Sequence, residues 1–258
     1  MATHEVPLMS LRINKLTLST PKRCLVNKLS LSVNAGERWV IIGPNGAGKS
    51  SLLKACVGLT AHPEITFEQK AIYDYAPKDR AQRIGLLSQQ SLTGFNTRTL
   101  DLVLSGSYAL TTSYWEDQDH LHAAEALLKS LGLSDNVNQA VSDLSGGELR
   151  RAEIARLMLQ NPNVMLLDEP LNHLDLHQQK ATQDILLNHL AAHNNAALWV
   201  EHDLNRARAI ATHAVLLKGD GSWQVGKAGD LLTAANLSQL LNTPLQSIGE
   251  QDYLSVYY

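Results

Sequence analysis

The eight residues GPNGAGKS at 43–50 follow the apolar run WVII and precede a helical pattern. A G-x-x-x-x-G-K-S spacing between a strand and a helix calls for a loop whose backbone N–H groups curl around an anion. The glycines permit the tight curl, and the N-terminus of the following helix adds its positive end. Such a loop needs a buried strand before it and a helix after it, which points to an α/β core. Within the set Gly43, Pro44, Asn45, Gly46, Ala47, Gly48, Lys49, Ser50 and Ser51, three side chains carry specific chemistry. Lys49 reads as the group that reaches β- and γ-phosphates, Ser50 as a Mg²⁺ ligand, and Ser51 as a partner of the α-phosphate.

The rest of the chain agrees with an α/β core. VIIG, VMLLD and ALWVE are nearly continuous in apolar residues, as expected of strands buried on both faces of a parallel sheet. The earlier runs LRINKLTL (11–18) and LSLSV (29–33) alternate more, which predicts an antiparallel N-terminal flank. Further strands are predicted at 83–89, 213–219 and 222–226, and helices at 49–57, 175–190 and 204–212. Residues 98–160 carry helical periodicity with little strand character. The chain of 258 residues therefore reads as one domain, a core of about 1–94 and 161–258 with a helical subdomain of about 95–160 inserted. LLTAANLSQLLNTPLQ (231–246) predicts short helices, and DYLSVYY an edge strand or a loose tail.

Composition excludes several classes. The charged fraction is 18% and the net charge −3, with no sign of a broad nucleic-acid-binding surface. No window approaches the roughly 20 apolar residues of a membrane span, and MATHEVPLMSLRINK lacks the apolar core of a signal peptide. Cys24 and Cys56 fit no metal or redox motif and read as free thiols.

A second motif, VMLLDEP (164–170), ends a buried strand in two carboxylates. Asp168 is placed to hold Mg²⁺ through water, and Glu169 to orient and deprotonate a water molecule. Between the two motifs lies LSGGELRRAEIAR (144–156). Ser145 and Glu148 there form an S-x-x-E capping box, and Asn161-Pro162 ends the helix. Gly146 and Gly147 weaken a first turn that only needed a start. They instead leave N–H groups open, as an anion site requires.

With LSGGE lying between these two motifs, the chain resembles the ATP-binding subunit of ABC transporters over nearly its whole length, a P-loop NTPase fold. The order is the family's: phosphate loop, Gln89 after a strand, LSGGE, Asp168-Glu169, Asp175, and His202 after the next strand. The resemblance implies an ATPase using ATP and Mg²⁺. It implies that Gln89 touches Mg²⁺ and the attacking water and senses the membrane subunit, with Gln90 as the register alternative. It implies that His202 contacts the γ-phosphate, and that Asp175 links two nucleotide sites. It also implies a head-to-tail dimer in which Ser145, Gly146 and Gly147 face the phosphate loop of a second copy. Further implied partners are transmembrane permease subunits and a separate substrate-binding protein, with the chain peripheral at the cytoplasmic face of the inner or plasma membrane.

The chain departs from the family pattern where an adenine-stacking aromatic is usual. Thr20 holds that place, with Arg23 nearby to offer a cation–π contact. LNHLDLHQQ (171–179), EHDLNRARAIATHAVLLKGD (201–220) and LLTAANLSQLL (231–241) resemble the branch that imports ferric siderophores, haem and vitamin B12. An exporter subunit, a soluble ABC ATPase of DNA repair or ribosomes, and a small-molecule kinase are the rival functions. The kinase leaves LSGGE and His202 without a role. His173 with His177, and His120 with His122, suggest a metal site only superficially, because each pair falls in a loop-to-helix or amphipathic helical segment.

Overall fold

Alternating apolar residues build the first sheet. In the computed structural model, which describes residues 10–90, 97–110, 117–248 and 253–256, strand β1 (Ser10–Thr20) pairs antiparallel with β2 (Arg23–Asn34). Leu11 lies opposite Val33 and Ile13 opposite Leu31, so one face is buried and the other meets solvent. The sequence continues into β3 (Arg38–Ile42), helix α1 (Lys49–Cys56), and the short strands β4 (Ile65–Phe67) and β5 (Lys70–Ala71). β4 pairs antiparallel with β1 and with β5. No sequence run predicts β4, because ITF is too short to show a period. Its burial comes from Ile65 and Phe67 lying opposite Ile13 and Leu11.

The chain divides into two compact units, one of Met1–Asp74 with Ala196–Tyr258 and one of Tyr75–Asn195. The second unit begins with α2 (Pro77–Arg83) and β6 (Ile84–Leu87). α2 buries no residue, so PKDRAQR offers no amphipathic stripe from which to predict it. Next come α3 (Thr99–Leu104), α4 (Asp117–Ser130) and α5 (Gly146–Gln160), which pack on one another. Strand β7 (Val164–Asp168) follows, buried throughout and parallel to β6, then α6 (Leu176–His193). Four of the five β7 residues are apolar, each contributing about 1.5–3 kcal/mol when fully buried.

The chain then returns to the first unit through β8 (Ala196–Val200), α7 (Leu204–Ile210), β9 (His213–Leu217) and β10 (Trp223–Lys227). β3 is flanked by two parallel neighbours, with Val40 opposite Trp199 of β8 and Ile41 opposite Val215 of β9. β10 closes this part antiparallel to β9. Short helices α8 (Ala228–Leu231) and α9 (Ala234–Leu241) follow. The sequence extends the helical reading to 246. α9 instead stops at Asn242, which takes a left-handed conformation, and Leu245–Ile248 forms β11, paired with β12 (Tyr253–Val256). Pro244 cannot continue the helix, and β11 is held by its pairing with β12 and by the Leu245 N–H donating to the Ser238 hydroxyl at 2.8 Å.

Among the described residues no helix is long and apolar enough to cross a membrane. Cys24 and Cys56 are free, and burial pushes the Cys56 thiol up to about 12.

Candidate functional site

In the first unit, β3 delivers the chain directly into 43–50. A side chain at Gly43 would place its Cβ 2.3 Å from the Leu217 carbonyl oxygen, so only glycine lets the loop leave the sheet here. Gly48 caps α1 with φ 102, a backbone conformation that L side chains rarely adopt. Lys49 is buried and its ammonium donates to the carbonyls of Gly43 at 2.8 Å and Pro44 at 3.2 Å. The loop is thereby folded around its own lysine before any anion is considered. Ser50 is half-buried and Ser51 exposed on the first turn of α1, while Asn45 and Gly46 stand exposed at the tip. This donor-rich cradle fits a nucleotide's phosphates.

Arg23 joins the loop from β2. Its guanidinium donates to the Gly46 carbonyl at 2.7 Å, and its N–H donates to the Thr20 hydroxyl at 3.2 Å. The side chain expected near adenine therefore also braces the loop tip.

His202 is exposed just past β8. Its position is fixed by Glu201, whose buried carboxylate accepts the N–H groups of His202 (2.8 Å) and Asp203 (3.0 Å). Asp203 caps α7 by accepting from the N–H groups of Asn205 and Arg206, both at 3.0 Å. Arg206 pairs with Glu201 at 3.3 Å. Glu201 is missed by a reading that attends to histidine alone. Its signal is a carboxylate directly after an apolar strand.

In the second unit, β7 ends in buried Asp168 and half-buried Glu169. Glu169 has φ +49, a region that costs a non-glycine residue of order 1–3 kcal/mol and persists only where surroundings enforce it. Its carboxylate accepts from the Gln89 side-chain amide at 3.1 Å and from the Asn172 side-chain amide. Gln89 and Glu169 are thus brought together. Gln90 follows Gln89 in the chain and is likewise exposed. The sequence gives no role to Asn172. It lies three residues past Glu169, within reach of a side chain on the same turn.

The signature segment forms both halves of its capping box. Ser145 Oγ accepts from the Glu148 N–H at 3.3 Å, and Glu148 accepts from the Ser145 N–H at 2.8 Å. The bonds from Ser145 hold the Glu148 carboxyl below its usual range. An added Cβ at Gly146 would meet nothing within 4 Å, and Ser145 and Gly146 are exposed. The start of α5 at Gly146 is therefore open to solvent, while a Cβ at Gly147 would lie 3.2 Å from the His173 carbonyl oxygen. Asp175 is exposed and caps α6, accepting from the Gln178 N–H at 2.8 Å.

Arg150, which the motif reading passes over, is 2% exposed on α5. It sits on the buried side beside Leu149, Glu153 and Ile154. A charged pair at i, i+3 on the apolar face of a helix is the signal that could have found it.

A sequence model of the ABC transporter family matches residues 26–172. The chain belongs to that family. It is an ATP-binding ABC ATPase. A probable iron chelatin transport ATP-binding protein of Helicobacter pylori is 32% identical, covering 96% of this chain and 99% of the relative. The Hemin import ATP-binding protein HmuV of Shewanella denitrificans is 34% identical over 94% of this chain and 97% of its own. Among solved structures, a chain of a transporter described as of the metal-chelate type, in an inward-facing conformation, has a TM-score of 0.79. It is 24% identical and covers 97% of this chain and 98% of that one. That likeness carries the ABC ATPase fold alone.

Proposed function

We propose that this ABC subunit hydrolyses ATP to power a membrane importer for an iron-siderophore, haem or cobalamin-type metal chelate. The names of the iron-chelate and haemin relatives support the cargo class. The observation that carries the hydrolytic part is the Gln89–Glu169 hydrogen bond, which aims a carboxylate and an amide at the same place.

In this reading the whole chain works as one ABC domain, with about 95–160 as its helical subdomain. Lys49 and the N–H groups of 43–51 bind the β- and γ-phosphates, and the hydroxyl of Ser51 takes the α-phosphate. Ser50, Gln89 and Asp168 would hold Mg²⁺, which when bound neutralises phosphate charge. Glu169 accepts the proton of water as it attacks the γ-phosphorus, Gln89 orients that water, and His202 donates to the γ-phosphate. Arg23 takes the place of an aromatic ring against adenine.

Two copies work head to tail. The open N–H groups after Ser145 close on the γ-phosphate held by the other copy, and Asp175 links the two sites. The Gln89 loop and the helical subdomain contact permease subunits at the cytoplasmic face of the membrane, and a separate binding protein delivers cargo. The test is reconstitution with candidate permease subunits from the same organism. Uptake of a ferric siderophore, haem or cobalamin that stops in the Glu169→Gln variant supports the reading. ATP hydrolysis with no uptake of any of the three overturns the cargo class, and export of cargo overturns import.

A further inference from the structure

All five N–H groups of the Arg150 guanidinium have acceptors, which is the full capacity of an arginine. Nε donates to the Pro170 carbonyl at 3.0 Å. Nη2 donates to the carbonyls of Asp168 at 2.7 Å and Glu169 at 3.0 Å. Nη1 donates to the Ser88 carbonyl at 2.6 Å and to the Glu153 carboxylate at 3.3 Å. One planar group therefore grips three successive carbonyls of the turn after β7 and the carbonyl preceding Gln89.

We infer that Arg150 is a positioning residue for hydrolysis, locking the Gln89 strand end to the Asp168–Glu169 turn so that amide and carboxylate share one water. This rests on the hydrolytic reading above. Two independent observations support it. Glu169 adopts the left-handed region without being glycine, and the carbonyls on both sides of it, with its own, are bonded to Arg150. Gln89 and Glu169 come from segments far apart in sequence, and Arg150 donates to the Ser88 carbonyl in the one and to the Glu169 carbonyl in the other. Glu153, buried beside it, supplies the counter-charge that keeps a guanidinium tolerable there. Burial pushes the Arg150 guanidinium below its usual range, opposed by the carboxylates of Glu153, Asp168 and Glu169.

Lysine cannot replace this grip, because an ammonium offers three donors from a point rather than five in a plane. The experiment compares full-length wild type, Arg150→Lys, Arg150→Gln, Glu153→Gln and Glu169→Gln. ATP affinity, kcat, melting temperature and amide hydrogen exchange are measured for each. Both Arg150 variants should lose about 100-fold in kcat, the scale of an ångström-size misplacement. Their ATP affinity should stay near wild type, since the phosphate loop belongs to the other unit. Arg150→Lys should recover melting temperature over Arg150→Gln without recovering kcat. Exchange should quicken at 168, 169 and 171 and at 88–90, and Glu153→Gln should show the same pattern more weakly.

Wild-type kcat in Arg150→Lys, or unchanged exchange at both turns, overturns the inference. Parallel loss of ATP affinity, kcat and melting temperature in Arg150→Lys also overturns it, in favour of a purely structural arginine. Should Arg150→Gln fail to fold, Arg150→Lys and Glu153→Gln carry the same comparison. Absence of ATP hydrolysis in the wild type would instead reject the hydrolytic reading itself.

Discussion

The side-chain amide of Gln89 donates to the Glu169 carboxylate at 3.1 Å, joining two residues that lie at the ends of neighbouring parallel strands β6 and β7. The bond sets a side-chain amide against the Glu169 carboxylate. Replacing Glu169 by Gln keeps the volume and one acceptor oxygen but removes the proton acceptor. ATP turnover should fall at least about 100-fold, the scale of general-base catalysis, while ATP still binds. Turnover near wild type in a steady-state phosphate-release assay would show that another group takes the proton.

Lys49 is held by two carbonyls of its own loop, so removing it unties the loop as well as deleting a charge. Lys49→Ala should weaken ATP binding by about 10- to 100-fold, the equivalent of one lost charge-assisted hydrogen bond. Isothermal titration with a non-hydrolysable ATP analogue reads this directly. An affinity within a factor of about 2 of wild type would assign the phosphates to other donors.

Ser145 separates a structural effect from a functional one. Ser145→Ala should cost about 1 kcal/mol of stability through loss of the cap, measured by urea unfolding. Ser145→Arg should allow one ATP per chain yet stop ATP-dependent dimerisation, measured by light scattering in the Glu169→Gln background. Undiminished dimer formation would remove the signature segment from the intermolecular site.

Gly43→Ala brings a methyl group within 2.3 Å of a backbone carbonyl that belongs to β9 and has little freedom to yield. The variant should lose about 1–3 kcal/mol, the usual cost of overpacking. A loss below about 0.5 kcal/mol in denaturant melts would mean that the loop relaxes freely.

His189 of α6 is half-buried against His193, ring centroids 4.5 Å apart, and its Nε2 lacks a hydrogen-bond partner. Burial, reinforced by the His193 charge, lowers its pKa from 6.5 to about 4. Between these values the unfolded chain binds the proton and the folded chain does not, so acid favours unfolding. Its contribution is complete above about pH 6.5 and drains away as pH falls toward about 4. His189→Leu should flatten the melting temperature across that window. An unchanged slope would place the pH sensitivity elsewhere.

The functional residues legible in the sequence are those whose partners are close by. The phosphate loop, the strand-end carboxylates and the Ser145–Glu148 box are read from spacing because their geometry closes within a few residues. Arg150 escaped that reading because its acceptors lie 20 and 62 residues away. The strands β4 and β11 escaped it for a related reason. A three- or four-residue run has no period of its own, and pairing with another strand, remote for β4 and a few residues on for β11, decides its conformation.

By itself the sequence determined the local frames: the glycine-rich loop between a strand and a helix, which carboxylates end a buried strand, and where the helix after Ser145 begins. Local backbone rules and hydrophobic periodicity suffice for those. Only the tertiary structure decided how Glu169 is held, in a left-handed turn with Gln89 and Asn172 on its carboxylate and Arg150 on its backbone. That outcome depends on hydrogen bonds from Gln89 and Arg150, which lie 80 and 19 residues from Glu169, and no local rule names such partners in advance.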